Sequence, residues 1–166
     1  MSALNPLLEQ TRHCPRCGAP PGVRLPRSLH CPACGLRAYF NPKPVACVVA
    51  RDEAGDVVLI RRAHDPGAGR WSMPGGFVDL GESVEDAARR EVREELEAEV
   101  ELGGLVGVYS SAEDRVVVIV YAARLDGAPR TTDEVTEVRA FVPDAIPWEE
   151  LAFTSDAMAL RDALAP

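Results

Sequence analysis

Three glutamates, Glu91, Glu94 and Glu95, lie close together in the stretch GGFVDLGESVEDAARREVREELEAEV, residues 75–100. Residues three and four apart share one helix face, where like charges repel by roughly 0.2–0.5 kcal/mol per pair. Such a face is either solvated surface or a seat for a cation. The glycines Gly75 and Gly76 ahead of the helix favour the cation, because bare backbone there lets carbonyl oxygens come close to an ion. Arg90 stands beside Glu91 as an internal counter-charge. Hard carboxylate and carbonyl oxygens at this density suit Mg²⁺ or Mn²⁺.

A second cluster carries different chemistry. Cys14, Cys17, Cys31 and Cys34 form the knuckles CPRCG and CPACG, with 13 residues between Cys17 and Cys31. Four thiolates in two C-x-x-C pairs match tetrahedral Zn²⁺, and Gly18 and Gly35 allow the tight turn after each pair. Two disulfides are the competing arrangement, which a chain in a reducing compartment rarely keeps. A thioredoxin-like redox pair would want one C-x-x-C in a βαβ setting. The fifth cysteine, Cys47 in VACVVA, reads as a small core residue.

The elements that position these groups follow from local pattern. Residues 1–11 are a lead-in. Residues 12–40, rich in Cys, Pro and Gly, cannot build a core and need the metal as staple. The prolines of YFNPKP make an extended linker into the larger domain, residues 41–166. There VACVVA and VVLIRR form a hairpin around RDEAGD, and AHDPGAGR and WSMPGGF lead into the helix. Ser83 and Asp86 predict its capping box, and Val84, Ala87, Ala88, Val92 and Leu96 its core stripe. LVGVYS and RVVVIVYAARL predict two strands around the turn SAED, EVRAFV another strand, and SDAMALRDAL a terminal helix with Ser155 as N-cap. Strands mixed with two helices predict an α/β sandwich with a mixed sheet.

Charge divides the chain. Six basic residues up to position 44 (Arg12, Arg16, Arg24, Arg27, Arg37, Lys43) face Glu9 alone, so a net charge of −8 overall leaves −13 on the rest. A body so acidic is a poor polyanion binder unless bound metal reverses the local field, so nucleic acid is not an expected partner. No charged-then-apolar leader and no run of about 18 apolar residues is present, so membrane association is not expected and the cytoplasm is the expected compartment.

Residues 76–98 resemble the Nudix box, G-x5-E-x7-R-E-U-x-E-E-x-G-U with U aliphatic. Gly76, Glu82, Arg90, Glu91, Val92, Glu94 and Glu95 fall on it in register. The box glycine is replaced by Glu97 and the following aliphatic position by Ala98, so the helix is expected to run longer or to end differently, since Glu enters the left-handed region less readily. The resemblance implies an α/β/α sandwich and a hydrolase of nucleoside diphosphates linked to another moiety. It assigns Glu91, Glu94 and Glu95 to catalytic metal together with a carbonyl of Gly75–Gly76, and Glu82 and Arg90 to bracing the loop. A glutamate from a later loop serves as base in relatives; TTDEVTE offers Glu134, the preferred candidate, and Glu137.

A zinc ribbon ahead of the box resembles the NADH pyrophosphatase subgroup and enzymes acting on FAD or ADP-ribose. The S-Q-P-W-P motif of NADH pyrophosphatases is absent, which takes support from strict NADH specificity. The implied partner is a small nucleotide, with a homodimer as one implied assembly. A nucleotide-sensing regulator and a nucleoside triphosphatase are the alternatives. For substrate contact the candidates are Arg61, Arg62 and Arg70, since guanidinium matches phosphate oxygens, with Gly75, Gly76 and Phe153. Trp71 reads as a buried aromatic, His13 and His30 as structural or solvated, and His64 as a weak phosphate candidate.

Overall fold

The computed structural model describes residues 6–25, 27–111 and 114–165. The chain forms two units, Met1–Pro42 and Lys43–Pro166.

In the smaller unit a five-residue helix, α1 (Pro6–Gln10), precedes a three-stranded antiparallel sheet of β1 (Val23–Leu25), β2 (Ser28–His30) and β3 (Arg37–Tyr39). Among the described residues its buried interior is Leu8, Cys14, Leu29 and Cys31, with Ala19, Cys34, Leu36 and Phe40 partly buried against them. So small a core cannot offset the conformational entropy of its residues.

The larger unit is built on β4 (Lys43–Arg51), β5 (Val57–Arg62), β8 (Glu99–Tyr109), β9 (Val116–Asp126) and β10 (Val135–Phe141), in the order β10-β5-β4-β9-β8. β4 pairs with β9 in parallel and the other ladders are antiparallel, so the sheet is mixed. Alternation along the strands sorts two cores. Ala46, Val48, Ala50, Val58 and Ile60 pack on the helix α2 (Val84–Leu96) through Ala87, Ala88, Val92 and Leu96. Cys47, Val49, Val57 and Leu59 pack on the helix α3 (Thr154–Leu164) through Ala159 and Leu160. The period-two alternation of Cβ directions therefore produces the expected α/β/α sandwich.

The hairpin of β4 and β5 is paired only near its turn, at Ala50↔Val58 and Arg51↔Val57, and then splays open. Two short strands fill the gap: β6 (Trp71–Ser72) pairs with β5, and β7 (Gly75–Phe77) pairs with β4. The segment expected as a loop is thus wedged into the sheet. Strands of two and three residues have no periodicity to read.

Several boundaries differ from expectation. β8 begins at Glu99, six residues before LVGVYS, because α2 stops at Leu96. Glu97 itself takes the left-handed conformation (φ 50°, ψ 34°) and donates its N–H to Arg93 O at 3.0 Å. The helix does not run on past the missing glycine: the glutamate performs the turn. α3 starts at Thr154 with Phe153, not Ser155, at the N-cap position, and the Asp156 carboxylate accepts the Phe153 N–H at 3.3 Å. Of the turn SAED, Ala112 and Glu113 lie outside the described residues.

Candidate active site

Ser83 caps α2 as its sequence predicts, with Oγ accepting the Asp86 N–H at 3.1 Å and the hydroxyl donating to the Asp86 carboxylate at 2.8 Å. Two turns later the helix presents its glutamates at three different depths. Glu94 is 53% exposed at its side chain, Glu91 12%, and Glu95 is buried. Glu95 therefore sits at the edge of the core stripe, deeper than a shared polar face would place it.

β7 brings the glycine pair against these carboxylates. The Gly75 N–H donates to Glu95 Oε2 at 2.8 Å. A Cβ on Gly76 would lie 2.5 Å from the Glu91 carboxyl, and one on Gly75 would lie 2.3 Å from Ala46 O and 2.6 Å from Cys47 Sγ. A side chain at Gly75 would collide with the backbone of β4 and one at Gly76 would displace the Glu91 carboxyl, so backbone and carboxylates meet directly. Cys47 is buried in the core behind Gly75, where burial and the nearby carboxylates push its thiol well above the usual range.

Arg90 ties the box together. Its guanidinium donates to Glu82 at 2.8 and 3.1 Å, to Glu91 and Glu94 at 2.8 Å each, and to Phe77 O at 2.9 Å. Even so, negative charge remains crowded. Burial raises Glu91, and its neighbours Glu94 and Glu134 add to the rise. Burial pushes Glu95 up to about 8, with Glu91 and Glu134 contributing, against the Gly75 amide and the Arg62 charge. Carboxylates held this far from their ordinary range favour a proton or a cation. The oxygen-only donor set with a side-chain-free cradle fits Mg²⁺ or Mn²⁺.

The remaining candidates separate. Glu134 lies close enough to raise both Glu91 and Glu95. Glu137 is drawn away by Arg61 at 3.0 Å and by Arg139. Arg61 is further engaged by Gly69 O at 2.7 Å and stacks 4.4 Å over Trp71, and Arg70 donates to Glu149 O at 2.8 Å. Neither of these two guanidiniums is brought to the carboxylates. Arg62 is. Its charge lowers Glu95 and Asp156, its Nε donates to Pro66 O at 2.8 Å, and its guanidinium lies 5.4 Å over the Phe153 ring. Trp71 is 1% exposed and edge-on to Phe141 at 5.1 Å, a core residue.

Sequence reading missed Asp156. It is buried, accepts the Phe153 N–H at 3.3 Å, and is pushed up to about 7 by burial. Its one sequence signal, an acid in the first turn of a helix, pointed to dipole and cap alone.

In the ribbon the four Sγ atoms lie within 4.8 Å of one another, with Cys14–Cys34 and Cys17–Cys31 at 3.7 Å. A disulfide is far shorter, at about 2.05 Å, whereas tetrahedral Zn–S bonds of about 2.3 Å set sulfur atoms about 3.8 Å apart. Desolvation raises Cys14, but the amides of Arg16 and Cys17 and the thiols of Cys31 and Cys34 outweigh it and bring it down to about 6. Cys34 has the amide of Leu36 in its favour, yet burial and the other three thiols hold it at about 12. Four thiolates so close need a cation. Gly18 and Gly35 close the knuckles with N–H bonds of 2.9 Å to Cys14 O and Cys31 O, at φ 71° and 74°. His13 Nδ1 bonds to Gly18 O at 3.2 Å instead of joining the thiols.

Comparison with known proteins agrees with this geometry. A family model described as the NUDIX domain matches residues 41–162. A MutT-like protein of Streptomyces ambofaciens is 38% identical over 121 residues, 72% of this chain and 75% of that protein. An ADP-ribose pyrophosphatase of Methanocaldococcus jannaschii is 33% identical over 123 residues, 70% of each. Among solved structures, a NUDIX hydrolase from Nitrosomonas europaea matches with a TM-score of 0.82 and 34% identity, covering 91% of this chain and 89% of that one. With a family model over most of its length and a near-full-length structural match, the chain belongs to the Nudix hydrolases.

Proposed function

We propose that this Nudix hydrolase is a Mg²⁺- or Mn²⁺-dependent pyrophosphohydrolase that splits the P–O–P link of a nucleoside-diphosphate derivative of the ADP-ribose, FAD or NADH type. The observation that carries the reading is the meeting of Glu91 and Glu95 with the backbone at Gly75–Gly76, with Glu94 tied to Glu91 through Arg90. Glu91, Glu94, Glu95 and a carbonyl of the glycine pair would hold the metal, which when bound neutralises charge on the phosphate oxygens and lowers the pKa of a coordinated water. Zn²⁺ on Cys14, Cys17, Cys31 and Cys34 would be structural.

The chain's own groups divide the remaining work. Glu134 takes the proton of the attacking water at a carboxylate oxygen, as its charge acting on both Glu91 and Glu95 supports. Arg62 holds a substrate phosphate: its Nε is used by Pro66 O, and its Nη groups make no other hydrogen bond among the described residues. Phe153, beneath that guanidinium, forms the adjoining wall. Glu82 and Arg90 keep the β7–α2 loop against the helix. The likeness to an ADP-ribose pyrophosphatase supports ADP-ribose as the first substrate to try, and the likeness to a MutT-like protein makes nucleoside triphosphates the competing class.

A panel of ADP-ribose, FAD, NADH and nucleoside triphosphates incubated with Mg²⁺ or Mn²⁺ tests this directly. Nucleoside monophosphate with a phosphorylated partner is the expected product. Pyrophosphate release from triphosphates alone would move the enzyme to the competing class.

A further inference from the structure

α2 ends on carbonyls that its own turns cannot satisfy. The helical partners of Glu95 O and Leu96 O would be the N–H groups of Glu99 and Val100, but the left-handed turn at Glu97 sends both into β8. The loop between β9 and β10, residues 127–134, supplies donors instead. The Arg130 N–H donates to Leu96 O at 2.8 Å, and the Thr132 hydroxyl donates to Glu95 O at 3.4 Å.

The same hydroxyl is also an acceptor. Thr132 Oγ1 takes the Glu134 N–H at 3.3 Å, while Glu134 O takes the Ala63 N–H at 3.0 Å. The Glu134 backbone is thus held on both sides, by α2 through one hydroxyl and by the chain just after β5. Beyond it Thr136 is an extra residue in β10: Val135 pairs with Arg62 and Glu137 with Arg61, and the Thr136 hydroxyl donates to Arg61 O at 3.2 Å. This bulge lets Val135 and Val138, three residues apart, pack on the same α2 core, where simple alternation would send one to the opposite face. The start of β10 is therefore fixed in phase with β5, and Thr132 ties it to the residue that supplies the buried glutamate of the site. Glu134 itself is exposed, so the place of its carboxylate follows from how its backbone is held. A base has to stand within hydrogen-bond reach of the proton it takes, about 2.6–3.2 Å.

We propose that Thr132 is a positioning residue: its hydroxyl, bridging Glu95 O and the Glu134 N–H, holds the Glu134 carboxylate at its working distance from the glutamate face of α2. The inference rests on the reading of Glu134 as the base that takes the water's proton. Thr132 acts only through Glu134.

The test is steady-state kinetics of the zinc-loaded full chain with Mg²⁺, on the substrate that wild type cleaves, with a melting curve for each variant. The variants are T132V, T132S, T131V, E134Q and T132V combined with E134Q. Valine keeps the shape of threonine without its hydroxyl, serine keeps the hydroxyl, and the exposed Thr131 next door is the control. E134Q is expected to lower kcat by about 10²–10⁴-fold. T132V is expected to lower kcat by about 10–100-fold with KM nearly unchanged, the cost of a misplaced group, and T132S and T131V to stay close to wild type. In the E134Q background T132V should cost nothing further, because a residue acting through another has no effect once that other is gone. Amide exchange gives a reading free of turnover: the Glu134 N–H should exchange faster in T132V than in wild type, while the Arg130 N–H keeps its rate. Should T132V fail to fold, T132A removes the same hydroxyl and is read the same way. Wild-type kcat in T132V, T132S as slow as T132V, an equal loss in both backgrounds, or unchanged Glu134 exchange overturns the proposal. Wild-type kcat in E134Q overturns it together with the base reading and leaves the metal reading standing. A wild type that cleaves nothing in the panel removes the proposed function and this inference with it.

Discussion

Glu97 shows how one residue can depart from a motif and keep its geometry. The left-handed region costs a non-glycine residue roughly 1–2 kcal/mol, and the exposed Glu97–Arg130 pair at 3.8 Å returns little of it. Glu97→Gly should therefore stabilise the protein by about 0.5–1 kcal/mol, after the extra unfolded-state entropy of glycine is subtracted. A thermal melt should rise by about 1–4 °C, on the size scaling for domains of this length. An unchanged or lower melting temperature would mean that the glutamate is relaxed there. At the same scale, Glu94→Gln and Glu95→Gln each remove an oxygen ligand of the proposed metal set. Each should lower kcat by at least about 100-fold, the equivalent of several kcal/mol of charge stabilisation. Steady-state rates at saturating substrate read this out, and near-wild-type turnover in both would remove them from the chemistry.

At the level of elements, the split hairpin places buried acids behind the glycine pair, and that has a pH consequence. Glu95 at about 8 and Asp156 at about 7 both lie above ordinary unfolded carboxylate values of about 4. Between those limits the native state binds more protons than the unfolded state, so stability falls as pH rises. Without added Mg²⁺ or Mn²⁺, the urea midpoint should drop from pH 5 to pH 8. Added Mg²⁺ should recover more of it at pH 8, because the ion binds ionised carboxylates and stabilises the state that holds it. A midpoint that climbs with pH in metal-free buffer would contradict the burial of these acids. The helix α2, its cap and its core stripe were legible because a 3.6-residue period runs through thirteen residues. Leu96→Ala, at the buried end of that stripe, should cost about 2–5 kcal/mol in a denaturant titration. β6 and β7 were not legible. Their pairing depends on a gap between two other strands.

Across the whole molecule, the box and the four cysteines could be read from type and spacing alone, since each packs several candidate ligands into a short stretch. Residues that converge from distant segments were harder. Arg61, Arg62 and Arg70 looked equivalent as sequence, and alternation along β5 together with the partners Glu137 and Glu149 O separates them. Among the described residues the ribbon's buried core is two leucines and two of its cysteines, so removal of zinc should unfold it: apparent zinc binding energies on the order of 10–16 kcal/mol are folding energy in such modules. Loss of amide-proton dispersion for Met1–Pro42, with Lys43–Pro166 still folded, is the expected result of chelation. A ribbon that keeps its dispersion without metal would count against the zinc staple. The central claim, metal-dependent cleavage of a diphosphate link, is tested most directly by incubating wild type and Glu95→Gln with ADP-ribose and Mg²⁺ and following AMP and ribose 5-phosphate. Wild type should give both products, and the variant, or wild type without the ion, almost none. Equal cleavage by wild type and variant, or cleavage indifferent to divalent metal, would contradict it.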